Sequence, residues 1–286
     1  MNRSPPLVIL GGSSLVAFYL MQRLSAEGLS ADVISRRKID VPSPLRFLQL
    51  NLTEARNWVA PEGSIVISLV PLWILARTMS RFIGVQSIVA LGSTSRFTKA
   101  NSVDIKDRAL AEGLEMAENI VRAYSLKGNI AYSVLRTTMI YDCLRDQNIA
   151  RIARFIRRFH FFPLAAPGKG LRQPIHADDV AKAIINALGN NHIYDQILNI
   201  AGGEVLTYRD MVERIFIALK QKPRFATVPT KILQTGFRWA SRFRLIQENA
   251  FGHTIFQRMN EDLIFDVSEG LEKLNYQPRK FEPTFS

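Results

Sequence analysis

Short apolar runs separated by amphipathic stretches make up the first half of the chain. Leu7–Leu10 is an apolar run that ends at Gly11-Gly12, and apolar residues then recur at near-helical spacing from Ser14 to Glu27. The later strand-sized runs are Val33–Ile34, Phe47–Leu50, Ile65–Val70, Ile88–Leu91 and Tyr132–Leu135, and a long helix is expected over Ile105–Leu126. Because these runs show almost no polar alternation, they predict a parallel sheet covered by helices on both faces.

The pattern changes after Tyr141. The residues that follow predict a basic amphipathic helix over Ile149–Phe162, a loop over Pro163–Gly170, a helix over Asp179–Leu188, a strand over Ile197–Ile200 and a helix that begins at Thr207. The predicted fold class is α/β, a Rossmann-type doubly wound parallel sheet with a smaller, mostly helical C-terminal substrate lobe. We expect residues 1–141 to form the Rossmann domain, with its sheet completed by a strand near 197–200. Residues 142–286 would form the smaller lobe, interleaved with returns to the Rossmann domain.

The charge of the chain favours anionic partners. The 286 residues include 37 Lys and Arg against 25 Asp and Glu, a formal net charge of +12. The excess is concentrated between Arg214 and Gln247, where no acidic residue occurs. Such a field attracts nucleotide phosphates, acidic lipid head groups or nucleic acid, and charge alone does not choose among them.

Two further features concern the compartment. The longest apolar stretch, Ile65–Ala76, is interrupted by Pro71 and is shorter than the about 20 residues that a membrane-spanning helix needs. The opening residues do not have the pattern of a signal peptide, and the single cysteine, Cys143, excludes an intrachain disulfide. We therefore expect a cytoplasmic protein.

The turn after the first strand is the expected phosphate site. A tight turn into a helix N-terminus presents unpaired N–H groups and a positive dipole end to a pyrophosphate. The cofactor-binding residues expected here are Gly11, Gly12, Ser13, Ser14, Leu15 and Val16, and Leu69 at the end of the fourth strand is added to them.

The second strand suggests which dinucleotide is bound. No acidic residue follows Ile34 to accept a ribose 2′-hydroxyl, and Arg36 and Arg37 stand there instead. Because guanidinium groups suit a 2′-phosphate, NADP(H) is expected over NAD(H). A solvated basic loop is the alternative.

Three later segments resemble a known family. Leu135–Tyr141 is similar to the Leu-Arg-Pro-x-x-x-Tyr-Gly segment of extended short-chain dehydrogenases/reductases, and Arg172–Ala181 is similar to their Arg-x-x-Ile-His-x-x-Asp-Val-Ala signature. Leu274–Pro278 resembles the closing Gly-Tyr-x-Pro. With the N-terminal turn, these segments follow the order of the NAD-dependent epimerase/dehydratase family over nearly the whole chain.

The resemblance implies roles for individual residues. Arg172 would meet the diphosphate of a nucleotide-sugar substrate, and Thr138 and Met139 would lie beside the nicotinamide. His176 is expected to be structural, and Asp178 or Asp179 to cap the helix that follows.

The chain departs from this family at its acid–base pair. The family's Tyr-x-x-x-Lys is absent, and the slot holds Lys106-Asp107-Arg108 instead. Ser93 or Thr94 would polarise a carbonyl, and Tyr141 or Lys106 would replace the missing acid. The catalytic candidates are therefore Ser93, Thr94, Tyr141 and Lys106.

Two functions follow from this pattern. The first is an NADP(H)-binding oxidoreductase or nucleotide-sugar epimerase/dehydratase-like enzyme with an atypical active site. The alternative is a catalytically silent NADPH-binding sensor or accessory subunit. The atypical branch of the family includes such a protein, an accessory subunit of respiratory complex I, and the chain resembles it.

The expected partner is a small-molecule substrate of the nucleotide-sugar type. A basic amphipathic segment at Lys231–Ile246 leaves open a weak contact with an anionic membrane surface. No nucleic-acid-binding motif is visible, the four histidines are too scattered to predict a metal site, and an oligomeric state stays open.

Overall fold

The strands and helices alternate in the order that the apolar runs predict. The computed structural model describes residues 5–55, 57–228, 256 and 258–285. The strands in this part of the chain are β1 (Leu7–Leu10), β2 (Ala31–Ser35), β3 (Arg46–Gln49), β4 (Ile65–Ser68), β5 (Ser87–Ser93), β6 (Ala131–Thr137), β7 (Ile140–Tyr141), β8 (Phe162–Ala165), β9 (Leu171–Arg172), β10 (Ile175–His176), β11 (Gln196–Ile200), β12 (Leu206–Thr207) and β13 (Phe225–Val228). The helices are α1 (Leu15–Ala26), α2 (Leu72–Thr78), α3 (Ser95–Thr98), α4 (Ile105–Gly128), α5 (Ile149–Phe159), α6 (Ala177–Ala187), α7 (Tyr208–Ala218) and α8 (Ser268–Leu274).

The chain forms two compact units. The first comprises the described residues of Met1–Thr137, Ala177–Ile200 and Asp266–Gln277, and the second those of Thr138–His176, Ala201–Phe265 and Pro278–Ser286. The predicted basic helix at Lys231–Ile246 lies outside the described residues.

A seven-stranded parallel sheet forms the centre of the first unit. Its strand order is β11-β6-β5-β4-β1-β2-β3, so the chain starts at β1 and winds outward to both sides. All residues of β4 are buried, which explains why the strand is continuously apolar instead of alternating. The predicted Rossmann-type sheet is confirmed.

Helix α1 packs against α6 in the first unit, and an ion pair joins them. Arg23 Nε donates to Asp178 Oδ1 at 2.7 Å and Arg23 Nη2 donates to Asp178 Oδ2 at 2.9 Å. The prediction that Asp178 or Asp179 caps a helix is wrong, because α6 already begins at Ala177 and both carboxylates lie in its first turn.

The second unit has its own core, in which α5 and α7 pack together. The predicted loop over Pro163–Gly170 is partly a strand, since β8 pairs in parallel with β13 from a distant part of the chain. Helix α5 ends at Phe159, earlier than predicted. His160 there takes up a left-handed conformation with φ 59°, and its N–H donates to Ile156 O at 2.8 Å.

Candidate functional site

The turn between β1 and α1 requires glycine at its first position. Gly11 has φ +90°, a conformation that residues with a side chain rarely adopt. A Cβ there would also lie 3.0 Å from the carbonyl carbon of Leu69 and from Val70. The turn therefore passes directly over the end of β4.

The two glycine amides tie this turn to β2. Gly11 N–H and Gly12 N–H both donate to Ile34 O, each at 2.9 Å. Both amides are therefore hydrogen-bonded within the protein, because the turn lies beside the end of β2. Their expected role in a phosphate cradle stays a prediction.

The start of α1 leaves other amides for a ligand. Ser14 is the N-cap, and its hydroxyl accepts from Ala17 N–H at 3.1 Å. The N–H groups of Leu15 and Val16 lie in the first turn, where a helix supplies no acceptor of its own. Because α1 follows directly after β1, its positive N-terminal end lies at the carboxyl end of that strand.

A cavity of about 180 Å³ lies at this end of the sheet. Five of the predicted cofactor residues line it, namely Gly11, Ser13, Ser14, Arg36 and Leu69. The other six predicted cofactor residues do not line it; they are Gly12, Leu15, Val16, Arg37, Thr138 and Met139. Its position at the carboxyl ends of β1, β2 and β4 is where open α/β sheets bind ligands.

The cavity also includes residues that the sequence analysis missed. They are Ile34, Ser35, Leu50, Asn51, Leu52, Thr53, Val70, Pro71 and Ile74. Asn51 Oδ1 accepts from the N–H of Thr53 at 3.2 Å and from its hydroxyl at 2.8 Å, which forms a compact polar turn just after β3. The available signal was the polar pair Asn51 and Thr53 at the end of a strand, because carboxyl ends of parallel strands meet at one edge.

The basic loop after β2 is solvent-exposed. Arg36 and Arg37 are both exposed, and only Arg36 lines the cavity. The N–H of Arg37 donates to Ser35 Oγ at 3.2 Å, which fixes the backbone but leaves the guanidinium in solvent.

The two hydroxyl candidates after β5 differ in their hydrogen bonds. Thr94 is buried, and its hydroxyl and N–H both lie 3.1 Å from Thr137 O, so its proton is used within the protein. Ser93 Oγ accepts from Ser95 N–H at 3.1 Å. An acceptor hydroxyl still has its proton to donate, so Ser93 is the better placed of the two to polarise a carbonyl.

Helix α4 carries the slot of the missing acid–base pair. Lys106 is exposed in the first turn, and its N–H donates to Asp104 Oδ1 at 2.8 Å. The neighbouring Asp107 pairs with Lys99 at 2.7 Å. All of α4 is described, and its one tyrosine, Tyr124, lies near its C-terminal end.

Three predicted residues of the second unit are held by local contacts. Thr138 is buried and donates its hydroxyl to Gln173 O at 2.6 Å, while Met139 O accepts from Ile175 N–H at 3.0 Å. The ring of Tyr141 is 1% exposed and packs edge-on against His176, at a centroid distance of 5.1 Å. This packing favours a structural role for both Tyr141 and His176.

Arg172 is buried among backbone carbonyls. Its Nη1 donates to Leu171 O and Glu261 O, both at 2.8 Å, and its Nη2 donates to Arg258 O. The guanidinium also lies 5.1 Å from the ring centroid of Tyr208. Burial lowers the pKa of Arg172 to about 10. The predicted diphosphate contact would require Arg172 to exchange some of these bonds, and it stays a prediction.

No protein-family model matches the chain, and no curated protein matches it. Solved structures do match over nearly its whole length. MoeE5 in complex with UDP-glucuronic acid and NAD has a TM-score of 0.70 at 17% identity, covering 97% of this chain and 96% of that one. UDP-glucuronic acid 4-epimerase from Bacillus cereus, in complex with UDP-glucuronic acid and NAD, has a TM-score of 0.70 at 12% identity and covers 97% and 95%. UDP-N-acetylglucosamine 4-epimerase from Bacillus cereus has a TM-score of 0.68 at 17% identity and covers 96% and 94%.

These neighbours correct the cofactor prediction. The complexes hold NAD, so the expectation of NADP(H) over NAD(H) is wrong. The physical reason is visible in the loop after β2, where Arg36 and Arg37 are solvated and do not form a closed phosphate pocket. The alternative of a solvated basic loop therefore applies.

Two further features are absent from the described residues, a helix able to span a membrane and a cluster of side chains able to hold a metal. None of their helices is both long and apolar enough to cross a bilayer, and none of their His, Cys, Asp and Glu side chains form a group of three that could hold a metal. The resemblance stated from the sequence motifs is matched by the structure: the chain has the fold of the NAD-dependent nucleotide-sugar epimerases.

Proposed function

We propose that the chain binds NAD(H) in the cavity of the first unit and acts as an enzyme of the nucleotide-sugar epimerase/dehydratase type. The observation that carries this proposal is the cavity itself, which the Gly11 turn and the start of α1 border at the carboxyl ends of the strands. The neighbours of the same fold hold NAD and UDP-sugars, which supports a nucleotide sugar as the substrate class.

The lining of the cavity suits the adenosine and pyrophosphate end of a dinucleotide. Small and hydroxylated residues, Gly11, Ser13 and Ser14, lie at the start of α1, where a pyrophosphate would be met by backbone amides and the helix dipole. Leu50 and Leu52 after β3 and Ile74 on α2 supply apolar surface, as a flat base requires. When bound, NAD(H) supplies the hydride chemistry, and the chain holds and orients it.

The residue best placed for the substrate is Ser93. Its hydroxyl stands at the carboxyl end of β5 and keeps its proton, so it can donate to a substrate carbonyl or hydroxyl. Lys106, exposed on α4, is the remaining candidate for proton transfer.

A second candidate function is an NAD(H)-binding module without turnover. It is favoured by one observation: the N-terminal half of α4 carries no tyrosine, although a phenol there is what the epimerase chemistry of this fold needs. The two candidates share the cofactor site and differ only in turnover.

A pair of substitutions at Ser14 tests the cofactor site. Ser14→Asp and Ser14→Asn both keep a good N-cap for α1, so the two variants should fold equally well. Only the aspartate places a negative charge where the pyrophosphate would lie. In a fluorescence titration with NADH, we expect Ser14→Asp to weaken binding at least tenfold relative to Ser14→Asn.

Turnover then separates the two candidates. A panel of UDP-hexoses and UDP-hexuronic acids is incubated with the NAD-loaded protein, and products are separated by chromatography. The enzyme is supported if an epimerised or oxidised product forms and if the Ser93→Ala variant forms less of it. If NADH binds but every substrate stays unchanged, the binding module is selected. If NADH does not bind the wild-type chain, both candidates fail.

A further inference from the structure

Basic and aromatic side chains from two segments of the second unit form one exposed surface. Strand β8 pairs with β13, and Phe162 N–H donates to Arg224 O at 2.9 Å, so the exit of α5 lies against the turn before β13. His160 Nδ1 and Gln221 Oε1 are 3.4 Å apart across the same junction. We call this surface the Arg/Phe patch; its exposed members are Arg154, Arg157, Arg158, Phe159, Phe161, Lys220, Lys222 and Arg224.

The amphipathic pattern of α5 creates the patch. Ile149, Ile152 and Ile156 are buried in the core of the second unit, at helical spacing. The arginines fall between them in sequence and therefore lie on the opposite side of the helix, in solvent. From Gln147 to Ala177 the sequence contains no Asp or Glu, so α5 itself offers them no counter-ion.

The cations of the patch differ from other arginines of the protein. Arg23, Arg46 and Arg214 each pair with a carboxylate within 4.0 Å. Within the described ranges, no ion pair of this kind involves the six cations of the patch. These six side chains are exposed, so their positive charge faces solvent, where it attracts an anionic surface.

Two phenylalanines protrude among these cations. Phe159 is 46% exposed and Phe161 is 38% exposed, and both pack on Phe155, with centroid distances of 4.6 and 5.9 Å. Aromatic rings held rigidly at the surface and surrounded by arginines match a bilayer interface, where rings enter the headgroup region and guanidinium groups meet phosphates.

The geometry fits nucleic acid less well. A base binds an aromatic residue by stacking on an open ring face. The guanidinium of Arg158 lies over the ring of Phe159, 5.5 Å from its centroid, and Phe155 packs against the same ring. A base would have to displace Arg158 or Phe155 in order to stack on Phe159. A lipid headgroup would need to contact only the solvent-facing edge of this ring.

We propose that the Arg/Phe patch docks the protein on an anionic phospholipid bilayer. The six cations supply attraction that salt weakens, and Phe159 and Phe161 supply a smaller apolar contribution that salt does not weaken. This proposal is independent of cofactor binding, since all its residues belong to the second unit.

Vesicle co-sedimentation of the full chain tests the proposal. We expect binding to phosphatidylcholine vesicles with about 30 mol % phosphatidylserine at low salt, and weak binding to phosphatidylcholine alone. The variant Arg154→Gln/Arg157→Gln/Arg158→Gln should weaken binding roughly 100-fold, since each cation near the surface is worth about fivefold in affinity. Phe159→Ser/Phe161→Ser should weaken binding while keeping its dependence on salt.

A matched variant controls for net charge. Arg122→Gln/Lys127→Gln/Lys182→Gln removes three exposed cations of the first unit and should bind vesicles like the wild type. Equal losses in both triple variants would overturn the proposal, because the effect would then be one of total charge. It is equally overturned if the wild type ignores anionic vesicles, or if it binds a single-stranded oligonucleotide or an acidic polypeptide in their place.

Discussion

Gly12 lies against Val33, where the turn after β1 meets strand β2. A Cβ placed on Gly12 would lie 2.4 Å from Val33 Cγ1 and 2.8 Å from Ile39 Cδ1. Val33 is fully buried, so it has little room to move away. Gly12→Ala should therefore lower the free energy of unfolding by about 1–3 kcal/mol, measured by urea denaturation.

Gly113 provides the opposite case. It lies within α4, and a Cβ there would meet nothing within 4 Å. Gly113→Ala should raise the free energy of unfolding by up to about 1 kcal/mol, because alanine loses less backbone entropy in a helix. A Gly12→Ala protein as stable as the wild type would show that the turn can move away from Val33 and Ile39.

Glu118 joins two arginines beneath the end of the sheet. It is 1% exposed and lies 2.5 Å from Arg96 Nη1, and Arg136 binds both of its oxygens, at 2.7 and 2.6 Å. Glu118→Gln leaves two partly buried guanidinium groups without their shared charge. We expect a loss of about 3 kcal/mol in the free energy of unfolding, measured by chemical denaturation.

Glu115 serves as the matched control for this network. It binds the same Arg96 at 2.7 Å, but its side chain is 55% exposed. Glu115→Gln should cost less than about 1 kcal/mol because solvent screens the pair. If the two variants lose the same stability, burial is not what gives Glu118 its importance.

The parallel sheet could be predicted because its central strands are buried on both faces. Strands such as β4 are then continuously apolar, and sequence alone shows this. Strand β8 could not be predicted in the same way. It contains Pro163, and its partner β13 lies about sixty residues further along the chain, so its pairing depends on tertiary contacts that local pattern does not report.

The location of the candidate site could be predicted from the sequence, but its hydrogen bonds could not. The Gly11-Gly12 pair after β1 located the turn, yet both amides donate to Ile34 O, an acceptor that no motif specifies. The charges of Arg36 and Arg37 predict phosphate ligands, but both side chains are exposed. Whether a basic loop is solvated depends on its surroundings, which only the structure gives.

Asp142 should contribute to stability in a pH-dependent way. Burial alone would raise the pKa of its carboxyl, but hydrogen bonds from Arg145, Leu144 and Asp146 outweigh burial and hold the pKa below its ordinary value. A lowered folded pKa stabilises the protein fully above the unfolded value of about 4, and this stabilisation is lost as the pH falls through the folded pKa. Urea denaturation between pH 7 and pH 3 should show that the free energy of unfolding of Asp142→Asn falls less steeply with acid than that of the wild type.

The control for this pH dependence is Glu27→Gln, which removes a carboxylate from an exposed position after α1. The free energy of unfolding of this variant should fall with acid about as steeply as that of the wild type. An Asp142→Asn protein that loses stability with acid as steeply as the wild type would assign the acid sensitivity to other carboxylates, such as Glu204 beside Arg214.

Arg172 offers the sharpest test of sequence resemblance against structure. The resemblance assigns its guanidinium to a substrate diphosphate, whereas the structure bonds it to the carbonyls of Leu171, Arg258 and Glu261. Arg172→Lys keeps the charge but cannot reach all three acceptors, so buried carbonyls lose their donors. If the structural role dominates, the free energy of unfolding falls by about 3 kcal/mol and the affinity of the folded protein for UDP changes little. If stability is unchanged and UDP binds at least tenfold more weakly, the diphosphate role is correct and these carbonyl contacts exchange when substrate binds.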